Sequence, residues 1–154
     1  AEYFIYQDDV QRVAVIREYL VFLVHAADRL AFYTLEAPDR ATFVPALAHA
    51  CAGQFHRNAA EVLGRGDYRE QFIDTLNRRN SHYGECSFSD GVPGYALLRA
   101  FSDHIQAIMG NDQTNRWVMD QVMDIDGPDV VRQLAKSMMN LHSGGGLAQS
   151  TPAV

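Results

Sequence analysis

The sequence has little cysteine, and this excludes a disulfide-stabilised secreted scaffold. Cys51 and Cys86 are the two cysteines among 154 residues, so one disulfide at most can form. The N-terminus has no basic region followed by an apolar run, so we expect no signal peptide. These two observations predict a cytoplasmic protein.

The sequence also has no long apolar run and no excess of basic over acidic residues. The longest apolar run, residues 19–24, is far shorter than a membrane-spanning helix, and we expect no membrane partner. Polar side chains stand close to that run at Arg17, Glu18, His25, Asp28 and Arg29. The net charge of −6 argues against broad, non-specific binding of nucleic acid but leaves a local basic groove open.

The sequence lacks the short motifs that carry well-known chemistry. It has no Gly-Lys-Ser/Thr phosphate loop and no Gly-x-Ser-x-Gly elbow. It also lacks the paired Cys-x-x-Cys, His-Glu-x-x-His and Glu-x-x-His spacings of common metal sites. No catalytic residue and no cofactor can be predicted, and whether the protein is an enzyme stays open.

What the sequence does have is helical periodicity, most clearly in residues 7–36. Polar residues there fall on one strip of a helix and leave about two thirds of the circumference apolar, wider than on an ordinary surface helix. This pattern predicts a long N-terminal helix at the centre of a bundle.

Five further segments have helical spacing and are separated by proline or glycine. They cover approximately residues 38–63, 68–83, 93–109, 113–125 and 128–142. No segment alternates as a strand would, and residues 84–92 read as a loop. We therefore predict an all-α, single-domain bundle of about six helices over residues 1–142, followed by a glycine-rich tail over residues 143–154.

The densest positive charge lies at Arg78, Arg79 and Asn80. Adjacent arginines can bind phosphate or carboxylate groups through paired hydrogen bonds, so these residues are a candidate anion site and the possible groove for nucleic acid. The alternative is that both arginines are solvated and balance Glu70 and Asp74 on the same helix.

His82, Glu85 and Cys86 are the candidate metal ligands, because all three types bind zinc and they lie close in sequence. The alternative is a histidine that complements the carbonyl groups at a helix end. Cys86, in the loop, should be more exposed than Cys51, which belongs to an apolar helical face. His25 and Asp28 have the spacing of an oriented general base, or simply of a surface hydrogen bond.

Three hypotheses of function remain. The first is a non-catalytic structural or interaction subunit that self-associates or binds another protein, with Trp117, Leu147 and Val154 as candidate interface residues. One version of it packages nucleic acid through Arg78 and Arg79. The second is a small-molecule or metal-binding bundle, possibly an enzyme, that uses Glu85 and histidines such as His49, His56 and His82. The third is a transient module that captures a partner's helix.

Overall fold

The computed structural model describes residues 4–89, 91–110 and 118–150, with side chains described as far as residue 139 except at position 119. In this part of the chain there are five helices and one short hairpin. The predicted all-α class is therefore confirmed, with five helices where six were expected.

The elements follow one another with short connections. The first four helices and the hairpin are α1 (Asp9–Thr34), α2 (Ala37–Leu63), α3 (Tyr68–Gly84), β1 (Phe88–Ser89), β2 (Val92–Pro93) and α4 (Tyr95–Met109). The fifth helix, α5, has three continuous parts: an α-helical turn at Val118–Gln121, a π-helical turn at Val122–Asp126, and an α-helix at Gly127–Ser150.

Helix α1 is central, as its wide apolar surface predicts, and it contacts all four other helices. Its N-terminus is capped by the Asp8 carboxylate, which accepts the N–H of Gln11 at 2.8 Å. It ends at Thr34, and α2 begins beside Pro38, which suits a helical first turn.

Stacked aromatic rings join α1 to α4 in the core. Phe22 and Phe101 are parallel with ring centroids 4.0 Å apart, and Tyr19 meets Phe101 edge-on at 5.0 Å. Nearer the start of α1, the side chain of Gln11 donates to the carbonyl of Ile108 near the end of α4. The two helices therefore run antiparallel.

The predicted break at Gly127 and Pro128 is wrong. The N–H of Gly127 bonds to the carbonyl of Val122, five residues back, so the chain passes through one wide π turn and stays helical. Proline lacks an N–H and its ring crowds the preceding turn of an α-helix. The wider turn accommodates the proline, and residues 118–150 form one helix across the predicted break. Residues 113–117 of the predicted fifth helix lie outside the described residues.

Two other boundaries also differ from prediction. Helix α5 continues through Ser143 and the three glycines to Ser150, although each glycine in a helix costs about 1 kcal/mol relative to alanine. Pro93 pairs with Phe88 in the hairpin instead of opening α4. The division of the chain into a bundle and a tail stays a prediction.

Among the described helices, none is both long enough and apolar enough to cross a membrane.

Candidate functional site

A largely buried ion pair joins α1 to α3. Glu18 is only 1% exposed, and its two carboxylate oxygens accept Nη2 of Arg79 at 2.6 Å and Nε at 3.2 Å. This forked arrangement is the geometry that makes arginine–carboxylate pairs strong. A buried carboxylate needs such a partner, because an isolated charge is very costly away from water.

Two histidines from different helices meet beside this pair. Nδ1 of His82 at the end of α3 lies 3.1 Å from Nε2 of His104 in the middle of α4, with the rings nearly perpendicular. The ring of Tyr83 contacts both imidazoles. Burial, followed by the nearby positive charge of Arg79, lowers the pKa of His104 and favours its neutral form.

Tyr83 completes this set, which we call the polar cluster: Glu18, Arg79, His82, Tyr83 and His104. Its hydroxyl is buried and has no hydrogen-bond partner within the described part of the chain. Burial raises the pKa of Tyr83, and the charge of Glu18 adds to the effect. The phenol therefore keeps its proton and remains a donor available to a small polar ligand.

A small cavity of about 80 Å³ opens beside Tyr83, between α1, α3 and α4. Its walls include Asp28, Arg29, Asn80 and Leu97, together with the ring of His25. The volume suffices for a few water molecules or a small ion, and not for a metabolite of ordinary size.

His25 is held in place as a structural residue on the wall of that cavity. Its Nε2 lies 3.2 Å from the carbonyl oxygen of Leu76, and its ring meets Tyr83 edge-on. Burial lowers the pKa of His25, so the neutral form is favoured. Asp28 instead forms an ion pair with Arg40 at 2.9 Å.

The structure separates the two adjacent arginines of the candidate anion site. Arg79 turns inward to Glu18, whereas Arg78 is exposed and its Nε lies 3.5 Å from the carbonyl oxygen of Asp74 on the same helix. Consecutive helical residues are about 100° apart around the axis, which explains the divergence. Asn80 lines the small cavity. The two guanidinium groups therefore do not form a joint clamp here.

The three candidate metal ligands are close in sequence, but their side chains point in different directions. Glu85 is exposed, and the thiol of Cys86 lies 3.2 Å from the carbonyl of His82. Within the described residues, no three His, Cys, Asp or Glu side chains are grouped as a metal site. The metal site at His82, Glu85 and Cys86 stays a prediction that this arrangement does not support.

The expectation that Cys86 is the more exposed thiol is wrong, because both cysteines are buried. Arg29 explains the burial of Cys86. Its guanidinium group donates to the carbonyls of Tyr83, Gly84 and Cys86, so α1 caps the end of α3 and draws the following residues onto the bundle.

The other predicted residues are dispersed. His49 is exposed, and His56 is half-buried against the ring of Tyr68. Trp117 and Val154 lie outside the described residues. Leu147 lies in α5, but its side chain is also outside them.

A second feature is an exposed apolar surface where α1 ends and α4 begins. We call it the hairpin surface: Phe32, Tyr33, Val92 and Tyr95, which are 63%, 55%, 62% and 69% exposed. The hydroxyl of Tyr33 donates to the carbonyl of Phe88 in β1, and Val92 pairs with Ser89 in the hairpin. These contacts, with the antiparallel packing of α1 and α4, bring the four residues to one end of the bundle.

Sequence reasoning missed the central members of both features. Glu18 falls on the polar strip of α1, and nothing in the sequence indicates that Arg79, 61 residues away, will cover it. The one available signal was the position of Glu18 directly before the apolar run of residues 19–24. The contact between His104 and His82, and the hairpin surface, depend on tertiary packing and had no sequence signal.

Comparison of this chain with protein-family models, with curated proteins and with solved structures finds no match in any of the three.

Proposed function

We propose that this protein is a non-catalytic helical subunit that associates with a second copy of itself through the hairpin surface. The observation that carries the proposal is the concentration of four large, exposed apolar side chains at one end of the bundle. Exposed apolar groups gathered in one place mark contact sites, whereas single ones are ordinary.

The composition of this surface is that of a protein interface. Phenylalanine, tyrosine and arginine are enriched at the energetic centres of interfaces. The guanidinium group of Arg40 lies 5.1 Å from the ring centre of Phe32, and Arg99 donates to the hydroxyl of Tyr95. Two of its three aromatic rings, those of Phe32 and Tyr95, are thus each accompanied by an arginine.

The charges favour a second copy as the partner. Arg40 is paired with Asp28, and Arg99 with Asp103 at 3.2 Å, so both signs of charge flank the apolar residues. A two-fold interface needs a surface that complements itself. A surface carrying both signs meets that condition, whereas a strongly acidic or basic partner would require one sign.

Light scattering coupled to size-exclusion chromatography tests the proposal. We expect the wild-type protein to have twice the mass of one chain or more, and the Phe32→Ser/Tyr95→Ser variant to have the mass of one chain. The matched control is Val10→Ser/Ile125→Ser, which removes two other apolar side chains that are more than half exposed. This control should keep the wild-type mass.

A monomeric wild-type protein over the accessible concentration range would refute self-association. Equal loss of mass in both double variants would refute the hairpin surface as its location. Tyr33 is left unchanged in both variants because its hydroxyl holds the hairpin to α1.

A further inference from the structure

We propose that His82 and His104 together bind one divalent transition-metal ion of the zinc, nickel and copper group. The two imidazoles come from different helices, and their facing nitrogens, Nδ1 and Nε2, are 3.1 Å apart. This site differs from the set predicted from sequence, since His104 replaces Glu85 and Cys86. It is also independent of the hairpin surface.

The separation of the two nitrogens suits a shared ion. With metal–nitrogen distances of about 2.05 Å, two nitrogens 3.1 Å apart subtend an angle of about 100° at the metal. That angle lies between the octahedral and tetrahedral values. A change of tautomer in the donor ring, whose proton moves through solvent to its other nitrogen, would free both lone pairs while both imidazoles stay neutral. A small rotation of each ring would then direct the two lone pairs at one point.

The surroundings leave room for the rest of the coordination shell. His82 is exposed, so water can occupy the remaining positions, and no third protein ligand stands close by in the described part of the chain. Neutral imidazole favours zinc, copper and nickel over magnesium and calcium. The positive charge of Arg79 nearby is offset by its pairing with Glu18.

The two rings are also held in position before any ion binds. Tyr83 contacts both, with its ring centre 6.1 Å from that of His82 and 5.7 Å from that of His104. Tyr83 itself is fully buried and packs edge-on against Phe22. Ligands that need little rearrangement bind with a smaller entropy loss.

Equilibrium dialysis of the intact chain against Zn²⁺, and separately against Ni²⁺, tests the site. We expect one bound ion per chain, with affinity at least tenfold weaker in His82→Gln and in His104→Gln. His49→Gln is the matched control, because His49 is an exposed histidine on α2. It should bind as tightly as the wild-type protein.

Unfolding in urea gives a second reading that does not depend on dialysis. At a free Zn²⁺ concentration about one hundred times the dissociation constant, the unfolding equilibrium constant should fall about one hundredfold. At the same Zn²⁺ concentration, each histidine variant should show a fall of about elevenfold or less, because its affinity is at least tenfold weaker. Because His82 is exposed, its variant should fold even if the half-buried His104 is less tolerant.

Absence of saturable binding in the wild-type protein would overturn the proposal and leave the histidine contact as a hydrogen bond alone. Binding that survives both substitutions would also overturn it, because the ion would then lie elsewhere.

Discussion

Arg79 illustrates how much the stability of this bundle depends on one buried pair. Replacing it with methionine, Arg79→Met, removes the guanidinium group that hydrogen-bonds the Glu18 carboxylate, which is 1% exposed. Breaking a buried ion pair on one side costs about 3–5 kcal/mol. We expect the free energy of unfolding in urea to fall by that amount.

Two variants make the cause of that loss testable. Arg78→Met alters an exposed arginine one residue away and should change stability by less than about 0.5 kcal/mol. Glu18→Leu/Arg79→Met removes both charges and should recover most of the loss, because apolar replacement of a buried pair is often neutral. If Arg79→Met were no less stable than Arg78→Met, the pair would contribute nothing.

The lowered pKa of His25 determines how this side chain makes the stability of the protein depend on pH. Its pKa is lowered in the folded protein, chiefly by burial, against the opposing effects of the Leu76 carbonyl and Asp28. The unfolded chain, with an ordinary pKa of 6.5, therefore binds the proton more tightly. The contribution of neutral His25 is complete above pH 6.5 and is lost as the pH falls below it.

We expect the urea midpoint of the wild-type protein to fall between pH 7 and pH 5, and to fall less steeply in His25→Gln. Glutamine keeps a polar group near the carbonyl of Leu76 without titrating. The stability of His25→Gln measured at pH 8 gives the effect of the substitution that does not depend on protonation. Equal slopes for the two proteins would contradict the assignment to His25.

At the scale of the elements, the π turn in α5 depends on a glycine. A Cβ atom at Gly127 would lie 2.6 Å from Cδ2 of Leu98 and 2.9 Å from the carbonyl oxygen of Val122. Since the second contact is with backbone, Gly127→Ala should cost about 1–3 kcal/mol of unfolding free energy through overpacking.

Gly84→Ala is the matched substitution, because a Cβ atom there meets nothing within 4 Å and Gly84 lies in α3. It should leave stability unchanged or raise it by about 0.4–1 kcal/mol. Thermal unfolding of the two variants side by side compares them. A Gly127→Ala protein as stable as Gly84→Ala would show that α5 is not closely packed on α4.

The elements also show what the sequence could and could not predict. Proline and glycine located the boundary residues of α2: Pro38 lies in its first turn, and Gly64, with a positive φ, follows its end. The continuity of α5 could not be predicted in this way, because proline and glycine together usually end a helix. Packing of Gly127 against Leu98 decided otherwise, and such contacts between distant residues leave no local pattern.

For the candidate site too, the sequence predicted some of the residues but not the contacts between distant parts of the chain. The sequence singled out Arg79 and His82, and both belong to the polar cluster. It placed neither with its actual partner, since Glu18 and His104 come from other helices at separations of 61 and 22 residues. Residue type predicted which side chains have chemistry to offer, and the tertiary fold decided what each contacts.

At the scale of the whole molecule, a central α1 has two consequences. Its middle, packed against all four other helices, holds the core and the polar cluster. Its last turn extends beyond that cover and leaves Phe32 and Tyr33 exposed beside the hairpin. The proposed association would therefore involve a different part of α1 from the part that stabilises the fold.

This arrangement predicts a stability that depends on protein concentration. Association of folded copies shifts the unfolding equilibrium by mass action, so the thermal midpoint of the wild-type protein should rise as the concentration is increased a hundredfold. Phe32→Ser/Tyr95→Ser should abolish this dependence while leaving the core intact, because neither ring is buried. Calorimetry at two concentrations measures it, and a midpoint independent of concentration in the wild-type protein would contradict association through its folded state.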